Sequence, residues 1–123
     1  MEKKKILVVD DEPHIVKMVK NRLETNHFEV VTAYNGLECL QCVGVEKPDL
    51  IILDISMPRM DGYSVVKELR ANAKTAEIPI LILTAKEMMR DLLEMEHVSS
   101  YLVKPFRSED LLDHVRKALA AVG

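Results

Sequence analysis

Uninterrupted apolar runs recur along the chain, and each of them ends at a polar residue. The runs cover residues 6–9, 50–53, 80–83 and 101–103. A short apolar run without alternation is typical of a strand buried on both faces, and such strands belong to parallel sheets covered by helices. The pattern therefore predicts a parallel sheet whose strands end in polar side chains.

Segments with a helical spacing of apolar residues separate these runs. Strands are predicted over residues 5–9, 28–32, 50–53, 79–83 and 100–103. Helices are predicted to begin near Pro13, to follow Asn35-Gly36 and end near Val45, to include 65–69, to cover 87–96 and to follow an N-cap at Ser108. Five strands alternating with five helices predict a single α/β domain over residues 1–123. The expected architecture is a flavodoxin-like, doubly wound five-stranded parallel sheet of order 2-1-3-4-5.

Composition and charge narrow the class of protein. With 123 residues, 48% of them hydrophobic and 30% charged, the chain suits one globular domain. A net charge of -3 does not indicate the excess of basic residues that is typical of nucleic-acid-binding domains. The apolar run after the basic start is too short for a signal peptide, and no run approaches a membrane span. We therefore expect a cytoplasmic protein without direct nucleic-acid or membrane binding.

Cys39 and Cys42 form a C-x-x-C pair, a spacing found in redox and zinc sites. A zinc site would need further ligands, and the chain has no other cysteine. A redox pair usually opens a helix after a strand, whereas this pair lies inside residues 37–43, whose pattern is that of a mid-helix segment. We therefore expect two reduced thiols packed within a helix.

Polar side chains capable of chemistry follow four of the predicted strands. The strand order places Asp10, Asp11 and Asp54 at the carboxyl edge of the sheet, where open parallel sheets bind ligands. Thr84 and Lys104 reach the same edge from strands four and five. Three carboxylates in one pocket repel one another, and Mg²⁺ relieves that repulsion with the oxygen ligands it prefers. A carboxylate nucleophile, a hard cation, an ammonium and a hydroxyl suit phosphoryl transfer through an acyl phosphate.

Each of these residues also has an ordinary structural interpretation. Asp10 or Asp11 can cap the helix that begins near Pro13. Thr84 can donate to a backbone carbonyl at its strand end, and Lys104 can be a solvated surface lysine. All of these explanations would have to coincide at one edge of one sheet, so the functional interpretation is favoured.

The same residues belong to an ordered set of motifs that resembles the receiver domains of response regulators in two-component signal transduction. Each motif is short, but the set spans essentially the whole chain and its order makes it specific. The motifs are Asp10-Asp11, Asp54 followed by Met57-Pro58-x-Met60-Asp61-Gly62, Leu83-Thr84-Ala85, and Tyr101-Leu102-x-Lys104-Pro105-Phe106. The resemblance implies a phosphorylation-activated switch whose output is a changed binding surface, not an enzyme that turns over a separate substrate.

The resemblance also implies how the phosphoryl group and the cofactor are held. Asp54 would accept a phosphoryl group from a phosphohistidine on a sensor histidine kinase or a phosphotransfer protein. Mg²⁺ would be bound by Asp11, Asp54 and the backbone carbonyl of Ser56, with Asp10 acting through water. Ser56 and Lys86 would overhang the phosphoryl group from neighbouring loops and tune the rate at which it is hydrolysed; the alternative for Lys86 is that it points into solvent, the usual state of a lysine at a helix start.

Three further roles follow from the resemblance. Thr84 and Lys104 would contact the phosphoryl oxygens, and Lys104 would pair with Asp54 before phosphorylation. Tyr101 would be the aromatic switch residue that changes its exposure when Thr84 moves. The family also suggests a cis peptide bond before Pro105, which X-Pro bonds allow because their preference for trans is small.

The chain departs from the family pattern over residues 86–100. This segment is shorter than usual, and His97-Val98-Ser99-Ser100 replaces the usual Gly-Ala-Asp before the fifth strand. The sequence leaves open the conformation of this segment, the cognate kinase and the oligomeric state. It also leaves open whether the output is a downstream protein partner or an effector domain of a longer regulator.

Other functions share this fold or this chemistry. An aspartate-nucleophile phosphatase of the haloacid-dehalogenase kind carries a second Asp two residues after the nucleophile, where this chain has Ser56. A pseudo-receiver binds partners without phosphorylation, but here the acidic pair, acceptor, hydroxyl and lysine are all present. A flavin carrier needs a hydroxyl- and glycine-rich phosphate loop after strand one, which this sequence does not have.

Overall fold

The described part of the computed structural model covers residues 3–55, 62–85, 98 and 100–122, and strands and helices alternate along it up to residue 85. The strands are β1 Lys5–Val9, β2 Glu29–Ala33, β3 Leu50–Asp54, β4 Ile80–Ala85 and β5 Ser100–Lys104. The helices are α1 Pro13–Thr25, α2 Gly36–Glu46, α3 Gly62–Ala71 and α4 Ser108–Val122. All strands are parallel and lie in the predicted order β2-β1-β3-β4-β5. The helix predicted over 87–96 lies outside the described residues.

The sheet is covered on both faces, which explains why its strands are continuously apolar. Along β1, Ile6 and Val8 pack with α1 and α4, whereas Leu7 and Val9 pack with α2 and α3. Every residue from 50 to 53 in β3 is fully buried. A strand buried on both faces needs apolar side chains at each position, and such a sheet is parallel with helical crossovers. The two helical layers therefore leave the strand ends as the polar part of the sheet.

Several element boundaries differ from the predictions by one or two residues. β3, β4 and β5 extend to Asp54, Ala85 and Lys104, because the strand pairing continues into the polar residues. α4 already includes Ser108, and its first-turn bond runs from the Leu111 N–H to the carbonyl of residue 107 at 3.1 Å. The N-cap prediction at Ser108 was therefore one residue late. Helix ends are the least sharply defined parts of an element.

The two cysteines lie on α2 as free thiols, which confirms the interpretation as reduced, packed side chains. Cys39 is buried in the core, and burial together with the neighbouring Cys42 raises the pKa of its thiol to about 12. The pKa of Cys42 is also raised, by burial first and then by the charge of Glu46. Both thiols are therefore held in the protonated, weakly nucleophilic form.

Helix length and polarity also bear on membrane insertion. Among the described residues, no helix is both long enough and apolar enough to cross a bilayer.

Candidate functional site

Four strands deliver polar side chains to the carboxyl edge of the sheet. Asp10 follows β1, Asp54 and Lys104 end β3 and β5, and Thr84 is the penultimate residue of β4. Asp10 and Thr84 are fully buried and Asp54 is 5% exposed. Parallel pairing aligns Val9 with Leu53 and Asp54 with Leu83, and so brings the strand ends together. The structure thus confirms that these sequence-distant residues converge.

The acidic side chains form one cluster. One carboxylate oxygen from each of Asp10, Asp11 and Asp54 lies within 4.8 Å of the other two. Asp11 is exposed, while the other two side chains are buried. Oxygens of this kind and spacing suit a small hard cation, which would be reached from the exposed side of the cluster.

The side chain of Lys104 reaches this cluster and forms ion pairs with two of its carboxylates. Its Nζ lies 2.8 Å from Asp10 Oδ2 and 3.5 Å from Asp54 Oδ2. The expected pair with Asp54 is present, but Asp10 is the closer partner. Only 21% of the Lys104 side chain is exposed, so the interpretation as a solvated surface lysine was wrong. β5 is the edge strand, and its terminal side chain reaches past the ends of β4 and β3 toward β1.

The environment of Lys104 favours its charged form. Burial acts to lower the pKa of the ammonium group. The hydrogen bond to Asp10 and the charges of Asp54, Asp10 and Glu12 outweigh burial, so that the pKa is raised above its ordinary value. The sequence analysis did not identify Glu12 as one of the charges that raise the pKa of Lys104. Its position directly after the acidic pair was the only signal in the sequence.

Both oxygens of Asp10 are engaged. Oδ1 accepts the backbone N–H of Glu12 at 3.0 Å, and Oδ2 accepts from Lys104. The N-cap of α1 is Glu12, which makes no side-chain capping bond, so neither Asp10 nor Asp11 caps this helix. The capping interpretation was therefore wrong, although Asp10 does order the turn that leads into α1.

Thr84 occupies the position expected of it but is bonded to backbone. Its hydroxyl donates to the carbonyl of Ala85 at 3.0 Å, which matches the ordinary structural interpretation. Tyr101 pairs with Ile82 in the sheet and packs, partly buried, against the core beneath α2 and α3. The phosphoryl contact of Thr84 and the switch role of Tyr101 stay predictions.

Gly62 fixes the backbone beside Asp54. Its N–H donates to the carbonyl of Ile55 at 3.0 Å, and α3 begins at this residue. A Cβ at Gly62 would lie 2.6 Å from Ile55 Cα and 3.0 Å from the Asp54 carbonyl oxygen. Sequence reasoning placed this glycine in a loop and in a family motif, but had no signal for the close approach that requires it.

Several predicted features fall in the undescribed parts of the chain. Ser56, Lys86, residues 57–61 of the acceptor motif, and most of the segment 86–100 lie outside the described residues. The peptide bond between Lys104 and Pro105 is cis, as expected.

Comparison with known proteins identifies the family. The model of the response regulator receiver domain matches residues 6–116. The chain therefore belongs to the response regulator receiver domain family, whose members are phosphorylation-driven switches of two-component signalling.

Individual relatives agree with this assignment. The probable transcriptional regulator ycf27 of Cyanophora paradoxa is 42% identical over 121 residues, which cover 97% of this chain and 49% of the relative. The chain spans about half the length of the curated relatives it matches. The chemotaxis response regulator CheY4 of Vibrio cholerae superposes with a TM-score of 0.89 at 35% identity, covering 96% of this chain and 100% of CheY4.

A third relative shows the family with a ligand. The response regulator TrrA of Thermotoga maritima, in complex with Mg²⁺-BeF, has a TM-score of 0.85 and 40% identity. The match covers 94% of this chain and 99% of that protein.

Proposed function

We propose that Asp54 is the phosphoryl acceptor of this switch. The observation that carries the proposal is the position of its carboxylate. It is almost fully buried at the end of a central strand, 3.5 Å from the Lys104 ammonium and within the acidic cluster. Asp10 is fully buried and follows β1, and Asp11 is exposed, whereas Asp54 ends a central strand with 5% of its surface exposed. Asp54 is therefore the carboxylate best placed to act as a nucleophile.

The transfer step forms an acyl phosphate. An Asp54 carboxylate oxygen attacks phosphorus while the P–N bond to the imidazole of a phosphohistidine breaks. The electron pair of that bond remains on the imidazole nitrogen, which takes up a proton from solvent. With a small donor such as acetyl phosphate, the P–O bond breaks and acetate leaves instead. Catalysis of such a transfer rests on positioning and on neutralising the charge of the equatorial oxygens.

The acidic cluster fits a magnesium ion. Mg²⁺ prefers oxygen ligands from one or two carboxylates together with water and phosphate oxygens, and Asp10, Asp11 and Asp54 offer that donor chemistry. Asp11 and Asp54 would hold the ion, with the backbone carbonyl of Ser56 as a further ligand and Asp10 acting through water. When bound, Mg²⁺ neutralises negative charge on the phosphoryl oxygens. The complex of TrrA with Mg²⁺-BeF supports this assignment.

Lys104 and Thr84 complete the proposed site from the other side. The charged Lys104 ammonium, 3.5 Å from Asp54, would pair with the phosphoryl group once it is attached. The Thr84 hydroxyl would exchange its bond to the Ala85 carbonyl for one to a phosphoryl oxygen. Tyr101, on the strand adjacent to Thr84, would respond by changing its exposure and hence the partner-binding surface. The lifetime-tuning roles of Ser56 and Lys86 stay predictions.

The partners follow from the proposed chemistry. The phosphodonor would be a sensor histidine kinase or a phosphotransfer protein. Because the relatives named as transcriptional regulators are about twice as long as this chain, the output would be either an attached effector domain or a separate protein.

Intact mass spectrometry tests the proposal directly. The protein is mixed with Mg²⁺ and acetyl phosphate, and parallel samples contain excess chelator. We expect one added phosphoryl group per chain with Mg²⁺ and none with chelator. An unmodified protein with no phosphate release would indicate a pseudo-receiver. Continuous release of phosphate from unrelated phosphate esters would indicate a phosphatase instead.

A further inference from the structure

The solvent-facing side of α2 carries unusually few charges and several large apolar side chains. Its sequence has no charged residue between Glu38 and Glu46. In the described part of the chain, three of the four exposed large hydrophobic side chains lie on α2 or directly before its N-cap: Tyr34, Leu37 and Val45. Val45 is the most exposed of them, at 78%. This side of the helix is therefore poorly suited to water.

The pattern of α2 is not that of an ordinary amphipathic surface helix. On α4, the exposed positions are mostly charged: Glu109, Asp110, Asp113, Arg116 and Lys117. On α2, Cys39 and Val43 are buried in the core, while Leu37, Gln41 and Val45 are exposed on the opposite side. Residues four apart form one row along a helix. A helix that is apolar on opposite sides is typical of one that is buried from both sides.

The exposed row of α2 is complementary to an antiparallel copy of itself. If a two-fold axis passes beside Gln41, Leu37 lies opposite Val45 of the second copy, because both residues are four positions from Gln41. A rise of about 1.5 Å per residue places each of them about 6 Å from the axis. The two Gln41 amides can donate to and accept from each other. Glu38 then lies near the exposed Lys47 of the second copy, at the end of the opposing helix.

We propose that α2 pairs with α2 of a second copy of this chain in an antiparallel, two-fold symmetric dimer. The mirrored placement of Leu37 and Val45, and of Glu38 and Lys47, favours a second copy over an unrelated apolar partner. A two-fold contact closes on itself, so association stops at the dimer. The 11 residues of α2 span only about 16 Å, which corresponds to a small interface. We therefore expect a weak dimer, with a Kd on the order of 100 µM.

Sedimentation equilibrium of the wild type and of two matched variants tests the surface. The average mass of the wild type should rise from one chain toward two between about 10 µM and 1 mM. Val45→Glu should weaken the dimer at least about tenfold, because it places a carboxylate opposite Leu37 and near Glu38 of the second copy. Met18→Glu is the control: Met18 is an exposed hydrophobic residue on α1, in the other helical layer, and its substitution should leave the Kd unchanged. Urea unfolding checks that the variants fold, and Leu37→Gln replaces Val45→Glu if that variant does not.

A cysteine on the proposed axis tests the antiparallel register. Under mild oxidation at about 100 µM protein, Gln41→Cys should form a disulfide between two chains, because the axis brings its two copies together. Lys117→Cys, at an exposed position of α4, is the control and should cross-link no faster than the wild type. The native thiols of Cys39 and Cys42 are present in all three proteins and give the background rate.

Four results would overturn the proposal. A wild type that stays monomeric up to about 1 mM would assign this side of α2 to a different partner. A Kd that Val45→Glu leaves unchanged would place the dimer contact elsewhere. An average mass that rises beyond two chains would exclude a closed two-fold contact. Cross-linking of Gln41→Cys no faster than that of Lys117→Cys would contradict the antiparallel register.

Discussion

The amide of Gly62 donates to the carbonyl of Ile55 at 3.0 Å, which binds the first residue of α3 to the backbone just beyond the proposed acceptor. The two backbones approach so closely that a Cβ at Gly62 would lie 2.6 Å from Ile55 Cα. This contact fixes the backbone of Ile55, the residue that follows Asp54, against the first residue of α3.

We expect Gly62→Ala to lower both stability and phosphorylation. The added methyl group must displace backbone, so the free energy of unfolding should fall by about 1–3 kcal/mol. The rate of labelling by acetyl phosphate should fall as well, because Asp54 shifts with Ile55. Urea unfolding and timed intact-mass measurements check the two effects.

Gly44→Ala is the matched control for that substitution. A Cβ at Gly44 meets no other atom within 4 Å, and the residue lies exposed in the last turn of α2. The same change should therefore stabilise the protein by about 0.5–1 kcal/mol through helix propensity, with unchanged labelling. Equal effects of the two substitutions would show that the approach of Gly62 to Ile55 has no structural consequence.

Asp11→Asn should have opposite effects with and without metal. In buffer with chelator, loss of one negative charge relieves repulsion within the acidic cluster, and the melting temperature should rise by a few degrees. With Mg²⁺ present, the stabilisation seen in the wild type should be largely lost, because binding to the native state is weakened. Asp113→Asn, which removes an equal charge from a surface pair, should retain the full response to Mg²⁺. A lower melting temperature of Asp11→Asn in chelator would contradict the repulsion argument.

The raised pKa of Lys104 makes part of the folding stability depend on pH in the alkaline range. The folded protein holds this proton more tightly than the unfolded chain, whose lysines have the ordinary pKa of 10.5. The contribution is therefore fully present below pH 10.5 and is lost as the pH rises through the higher pKa of the folded state. We expect the difference in unfolding free energy between wild type and Lys104→Met to narrow only above that pH. A difference that narrows between neutral pH and 10.5 would show that the Lys104 pKa is not raised.

Much of the fold could be predicted because the apolar runs of β1, β3 and β4 are buried on both faces. That burial leaves uninterrupted apolar runs in the sequence, which differ from the helical spacing of apolar residues in the segments between them. The predicted strand order then places Asp10, Asp54, Thr84 and Lys104 at one edge of the sheet. Convergence of this kind depends on topology, which the alternation of elements specifies.

Side-chain pairing within the site could not be predicted in the same way. The choice of Lys104 between Asp10 and Asp54 depends on distances across several strand ends, and sequence spacing carries no such information. The role of Gly62 depends on the close approach of two backbone segments, and the identity of a residue does not predict such an approach. The bond from the Thr84 hydroxyl to the Ala85 carbonyl could not be predicted either. A threonine bonded to backbone and a threonine that contacts a phosphoryl group would stand at the same position of the sequence.

The central claim is that Asp54 accepts the phosphoryl group, and a pair of variants on one strand tests it most directly. Asp54 ends β3, whereas Asp49 precedes β3 and accepts the Lys5 N–H at 2.7 Å at the far edge of the sheet. Each is changed to asparagine, and the intact mass is measured after incubation with Mg²⁺ and acetyl phosphate. Asp54→Asn should gain no phosphoryl group, and Asp49→Asn should be labelled like the wild type. Undiminished labelling of a folded Asp54→Asn variant would contradict the assignment.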